Sequence, residues 1–242
     1  KALLLENIHA DAVSIFKKEG YNVEAMPKSM HEDELCEKIK DISILCIRSK
    51  TQVTAKVIEN ANRLMIIGVF GIGTNQIDMN ACLKKGICVF NAPYSSTRSV
   101  VELAIGNIIM LMRKAFDRST ELHQGVWNKS AADCFEIREK KLGIIGYGNI
   151  GSQLSVLAES LGMEVYYYDI IDKMPLGNAK KCNSMEELLK KADVISLHVE
   201  GGAKNKKLIA EEHFKLMKNG VIFLNLSRGS LVDMDALAKY IK

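Results

Sequence analysis

The sequence predicts an α/β protein made of two doubly wound parallel-sheet units with a cleft between them. Three observations carry that prediction. From Ala2 to Asn91, short apolar runs alternate with amphipathic stretches. A long apolar-periodic segment follows, and from Lys141 the alternation starts again. Strands alternating with helices pair in parallel, because each crossover returns the chain to the same end of the sheet. The third observation is the turn Gly146-Tyr147-Gly148-Asn149-Ile150-Gly151, which joins an apolar run to a helical pattern.

In chain order, the first unit (residues 1–94) carries candidate strands at Leu3 to Leu5, Tyr21 to Val23, Ile42 to Ile47, Leu64 to Val69 and Ile87 to Phe90. They are short, rich in β-branched residues and bounded by polar or glycine breaks. Helices are expected from about Asp11 to Glu19, closed by Gly20, and at Glu32 to Ile39. Two more are expected at Thr54 to Asn60 and at Met79 to Lys85, closed by Gly86. Ala92-Pro93-Tyr94-Ser95-Ser96 breaks the pattern, and a helix from about Thr97 to Asp117 opens the second unit (residues 95–242). Strands then fall at Lys141 to Ile145, Val165 to Asp169, Val194 to Val199 and Val221 to Leu226. The intervening helices are Ile150 to Leu161, Met185 to Lys191 and Glu211 to Met217, with a last one from Asp235. A six-stranded dinucleotide fold needs two strands after the fourth, so the second unit reads as unfinished. The first residue is Lys rather than Met, and the sequence reads as a fragment.

Composition narrows the function. The 242 residues are 48% hydrophobic and 26% charged, ordinary for a globular chain. A net charge of +4 is too small to argue for nucleic acid or a membrane surface. No apolar run reaches bilayer length, and no signal-peptide pattern opens the chain. The six cysteines make no C-x-x-C pair and no metal-ligand set; most read as small core residues in a reducing cytoplasm.

The Gly-rich turn has the context a dinucleotide requires. Gly146 permits the tight turn, Gly148 lets the backbone approach a pyrophosphate, and Gly151 lets helix and strand pack closely. The helix start offers unpaired N–H groups to phosphate. The next strand ends on Asp169, whose carboxylate can accept from ribose hydroxyls and repels the 2′-phosphate of NADP. The cofactor expected is NAD, on a Rossmann-like second unit.

Beyond the last strand of that unit lies Arg228. Ligands of open α/β sheets bind there, and a guanidinium grips a carboxylate through two parallel hydrogen bonds. The competing reading pairs Arg228 with a local acid such as Asp233.

The run from Met217 to Asp233 resembles a signature of the D-isomer-specific 2-hydroxyacid dehydrogenases, and Leu188 to Ala210 resembles another, departing at Glu200 where the family has Pro. Within that family the chain is similar, over essentially its whole length, to bacterial members acting on 3-phosphoglycerate. The likeness includes Gly73 to Asp78, Asn91-Ala92-Pro93, Ser96 to Val100, Gly125 to Lys129 and Pro175 to Ala179. The resemblance implies NAD-dependent oxidation of 3-phospho-D-glycerate to 3-phosphohydroxypyruvate, the step opening the phosphorylated route to serine.

It also implies roles. Arg228 would hold the substrate carboxylate and polarise the carbonyl. Asn149 and Ile150 would lie against the pyrophosphate, Asp169 against the ribose, and His198, Val199, Leu226, Ser227 and Arg228 along the cofactor. Arg48 and Lys50 would read the substrate phosphate, and the backbone at Ile72 and Gly73 its carboxylate. Arg48 and Lys50 follow the strand ending at Ile47 and so project from its carboxyl end into the cleft, a position that favours ligand binding over solvated surface charge, while the turn at Gly73 is also compatible with simple tightness. The family's catalytic His and Glu fall after Lys242, so the chain by itself is expected to bind NAD without turning over. His198 is expected to pack at its strand end or to donate to a backbone carbonyl. Trp127 reads either as core filling or as part of an arm between subunits, with a homodimer or homotetramer implied. Two alternatives remain: a glyoxylate or hydroxypyruvate reductase, and an NAD-sensing scaffold that barely catalyses.

Overall fold

A computed structural model describes residues 1–241. The chain forms two compact units, one spanning Lys1–Ser96 and the other beginning at Thr97.

In the first unit, β1 (Ala2–Leu4), α1 (Ala10–Lys18), β2 (Val23–Ala25), α2 (Glu32–Lys38), β3 (Ile44–Ile47), α3 (Ala55–Asn60), β4 (Ile66–Val69), α4 (Met79–Lys85) and β5 (Cys88–Asn91) follow one another. The five strands are parallel in the order β2-β1-β3-β4-β5, the flavodoxin-like arrangement. β1 and β3 are buried along their whole length, which is why they read as unbroken apolar runs rather than alternating ones. Helix ends follow local chemistry. The Asp78 carboxylate accepts from Ala81 N–H at 2.9 Å to start α4, and Gly86, at φ 69°, stops it. β2 lies two residues later than the sequence predicts, because Tyr21 leaves the sheet to set its ring edge-on to Phe16 of α1.

The second unit holds α5 (Thr97–Met112), α6 (Ala115–His123), β6 (Lys141–Ile145), α7 (Asn149–Ser160), β7 (Glu164–Tyr168), β8 (Lys180–Lys181), α8 (Met185–Lys191), β9 (Val194–Leu197), α9 (Glu211–Phe214), β10 (Ile222–Asn225) and α10 (Met234–Tyr240). Its sheet runs β10-β9-β6-β7-β8, all parallel, the Rossmann-like order reversing between β6 and β9. One face buries Leu142, Ile144, Tyr167 and the α7 residues Leu154 and Ala158 against Val101, Ala104 and Ile108 of α5. The other packs Ile145, Ile195 and Leu197 against Leu188 and Leu189 of α8 and Phe214 of α9.

Two features depart from the sequence reading. The single helix expected from Thr97 to Asp117 is two helices, broken where Lys114 turns left-handed at φ 53°. The returning chain bonds there, Phe135 N–H to Met112 carbonyl at 2.9 Å. The sheet also gains a fifth strand, β8, whose two lysines carry no apolar signal.

Four cysteines (Cys36, Cys46, Cys82, Cys182) are buried, and burial pushes the Cys46 thiol up to about 12. Among the described residues no helix is long and apolar enough to cross a membrane.

Candidate functional site

The second unit gathers its candidate residues at the carboxyl ends of β6, β7, β9 and β10. Gly146 has φ 92°, and a Cβ there would fall 2.5 Å from the His198 carbonyl oxygen, so neither the conformation nor the space admits a side chain. At Gly151 a Cβ would lie 2.2 Å from the Gly146 carbonyl oxygen, which is how closely α7 sits on its own turn. At Gly148 it would meet nothing within 4 Å. The turn is packed on the protein side and open on the outer side. No side chain caps α7, so the first amides, including those of Asn149 and Ile150, have no partner within the helix. Uncapped amides at the positive end of a helix dipole, beside open space, suit a pyrophosphate.

Asp169 staples this arrangement. Its Oδ2 accepts from Tyr147 N–H at 2.7 Å and its Oδ1 from Ile171 N–H at 2.9 Å. A carboxylate has about four acceptor positions, so about two stay free for a diol. Tyr147, inside the Gly-rich turn, is buried and stacks on Tyr167 with ring centres 3.9 Å apart. Its hydroxyl meets Ser155 Oγ at 2.6 Å and accepts from Leu176 N–H at 3.1 Å, while Tyr167 donates to the Lys173 carbonyl at 2.6 Å. Glu159 accepts from Asn178 N–H at 3.0 Å. The loop after Asp169 is thus pinned from three sides. None of these roles is visible in the sequence; the nearest signal is a tyrosine just past β6 and another near the end of the neighbouring β7.

His198 follows β9, half-buried. Its Nε2 meets Ser196 Oγ at 2.8 Å, not a backbone carbonyl, and its Nδ1 is buried without a partner. Burial pushes its pKa down to about 4, so the ring is neutral and ill suited to proton transfer near neutrality. Val199 lies against Gly146: its Cγ2 is 3.2 Å from where a Gly146 Cβ would be. Ser227 donates to the Leu197 carbonyl at 2.9 Å, tying the turn after β10 to β9, and Leu226 packs on the core beside it.

Arg228 does not pair with Asp233. That carboxylate is occupied by Lys207 at 2.9 Å and by the first amides of α10. The Arg228 stem lies over Gly201, its Nη1 donates to the Ser227 carbonyl at 2.9 Å, and it makes no ion pair among the described residues. The departure at Glu200 is absorbed locally, where the Asn205 side chain donates to the Glu200 carbonyl at 2.9 Å.

In the first unit, Arg48 and Lys50 follow β3 and line a pocket of about 580 Å³ with Glu6, Asn7, Lys28 and His31. The pocket sits where the strand order reverses between β1 and β3, the usual place for a ligand in such a sheet. Lys28 and His31 were not legible as site residues, since they come from a loop after a different strand. Ile72 and Gly73 lie in the loop after β4, where the Ile72 carbonyl accepts from the Asn91 side chain at 2.7 Å. Trp127 is 73% exposed with Lys129 5.7 Å from its ring, which excludes core filling within this chain.

Residues 105–242 match the family model described as D-isomer specific 2-hydroxyacid dehydrogenase, NAD binding domain. The chain belongs to that family, and its second unit is an NAD-binding domain. It is 52% identical to D-3-phosphoglycerate dehydrogenase 2 of Saccharomyces cerevisiae, an alignment covering 99% of this chain and 51% of that protein. It is 51% identical to D-3-phosphoglycerate dehydrogenase of Haemophilus influenzae, over 100% of this chain and 59% of that one. The chain thus spans about half to three-fifths of the length of these relatives. Among solved structures, D-lactate dehydrogenase from Aquifex aeolicus complexed with NAD and lactic acid superposes with a TM-score of 0.85 at 26% identity, over 99% of this chain and 72% of that one.

Proposed function

We propose that the protein oxidises 3-phospho-D-glycerate to 3-phosphohydroxypyruvate with NAD and so opens the phosphorylated route to serine. The observation carrying the reading is the first unit's pocket, where Arg48, Lys50 and Lys28 converge at the reversal point of the sheet. Cations in that number suit a phosphate, whose oxygens accept charge-assisted hydrogen bonds. The names of the relatives support the same substrate.

Arg228 holds the substrate carboxylate; no acid pairs with it among the described residues, and only its Nη1 is engaged, on the Ser227 carbonyl. Ile72 and Gly73 offer backbone contacts to the same carboxylate. When bound, NAD would supply the hydride acceptor for the hydroxyl-bearing carbon, the hydroxyl proton going to a general base. The turn from Gly146 to Gly151 and Asp169 hold its phosphates and ribose. The protein works as a homo-oligomer, with exposed Trp127 as an anchor between copies.

The test is NAD reduction by the full-length protein with 3-phosphoglycerate, D-glycerate and 2-hydroxyglutarate compared side by side. Preference for 3-phosphoglycerate is expected. Preference for an unphosphorylated acid replaces the substrate while keeping the chemistry, and NAD binding without turnover favours a sensing scaffold. Arg228→Ala is expected to lower turnover by about a hundredfold or more, as removing an electrostatic stabiliser does; undiminished kcat removes Arg228 from the reaction.

A further inference from the structure

We propose that Glu6 is a positioning residue that fixes the shape of the Arg48–Lys50 loop and thereby the presentation of its cations to the substrate; this rests on reading that loop as the phosphate site. Glu6 follows β1, an inner strand of the sheet, and is 7% exposed. Its Oε2 accepts from Ser49 N–H and Lys50 N–H, both at 2.9 Å, and its Oε1 from Thr51 N–H at 2.9 Å. Three successive amides of a loop more than forty residues away therefore close on one carboxylate.

The grip is tighter than three bonds imply. The Arg48 carbonyl accepts from Gln76 Nε2 at 2.6 Å, and Gln76 is itself buried. Arg48 C=O and Ser49 N–H belong to one planar peptide unit. That plane is held at both ends, which anchors the backbone on the carboxyl side of Arg48. Glu6 N–H also donates to the Lys28 carbonyl at 3.2 Å, so the other cation-bearing segment is tied to the same residue.

The backbone of Glu6 is part of the observation. Glu6 (φ 62°) and Asn7 (φ 55°) both sit in the left-handed region, where consecutive non-glycine residues persist only if their surroundings hold them. Burial alone would raise the Glu6 carboxyl pKa. The N–H groups of Thr51 and Lys50 outweigh that and hold it below the ordinary range. The carboxylate takes amides rather than the neighbouring cations, and neither Arg48 nor Lys50 forms an ion pair among the described residues. The negative charge shapes the loop without occupying its ligand groups. A carboxylate is required because it only accepts; a carboxamide in the same place turns an NH₂ toward at least one of the three amides.

The experiment is steady-state kinetics of Glu6→Gln in the full-length protein beside Arg48→Ala, each with 3-phosphoglycerate and with D-glycerate. Losing one charge-assisted bond is expected to raise KM for 3-phosphoglycerate by about tenfold, with kcat within about twofold. KM for D-glycerate and NAD affinity should stay near the unaltered values. Equal changes with both substrates, or none, overturn the positioning role when Arg48→Ala is selective. If Arg48→Ala is also unselective, the phosphate reading itself falls. Hydrogen exchange in the unaltered protein gives a second arm that does not depend on the variant folding. The Ser49, Lys50 and Thr51 amides should exchange slowly for loop residues, and exchange at unprotected rates overturns the proposal.

Discussion

At the carboxyl end of β6, three glycines within six residues differ in what they tolerate. A methyl at Gly151 collides with backbone 2.2 Å away, whereas one at Gly148 points into open space from an ordinary φ of −84°. Gly151→Ala is expected to destabilise by about 1–3 kcal/mol, the usual cost of forcing atoms into a packed site. Gly148→Ala should melt normally and yet bind NAD more weakly, because only the ligand needs that space. Melting curves and NAD titrations of the two variants separate the effects; a normally stable Gly151→Ala contradicts the packing argument. His198 makes a prediction of a different kind. Its folded pKa of about 4 lies below the unfolded value of about 6.5, so the unfolded chain binds the extra proton first. Its contribution is fully present above pH 6.5 and is lost as pH falls from there towards 4, about 3 kcal/mol in all. Urea denaturation across that window should show a shallower acid slope in His198→Asn, and an unchanged slope removes His198 as its source.

Among the elements, those with strong apolar periodicity were legible from the sequence, and those held by tertiary contacts were not. α4 and α8 fall on their predicted residues, since capping groups and dipole-matched charges agree with the apolar pattern. The break at Lys114 is invisible to periodicity, because a left-handed lysine is imposed by what the chain meets afterwards. β8 is invisible because a strand of two exposed lysines exists only by pairing with β7. The site divides in the same way. The Gly-rich turn and Asp169 announce themselves by spacing. The tyrosine pair and Glu6 do not, since each acts through partners distant in sequence. The pinned loop after β7 can be tested directly. Tyr147→Phe keeps the ring stack but removes the hydroxyl shared by Ser155 and Leu176. It should cost about 1–3 kcal/mol, as an unsatisfied buried partner does, and raise the NAD dissociation constant. Calorimetry showing neither change places the loop's order elsewhere.

For the whole molecule, the proposed reading assigns NAD to the second unit and the substrate phosphate to the first, and variants should separate accordingly. Arg48→Ala should raise KM for the phosphorylated substrate about ten- to a hundredfold and leave NAD affinity alone. Asp169→Ala should weaken NAD and narrow its advantage over NADP while leaving the substrate preference intact. Crossed effects in paired titrations contradict that division. The Asp169 carboxylate also carries a consequence for any change of nucleotide. The oxygens we propose to repel a 2′-phosphate are the ones that hold Tyr147 N–H and Ile171 N–H. Removing them to admit NADP loosens the turn that must receive either dinucleotide. A lineage or an engineer moving this protein toward NADP by changing Asp169 therefore also takes away the acceptor of Tyr147 N–H, and a second substitution that replaces it is expected to restore the turn.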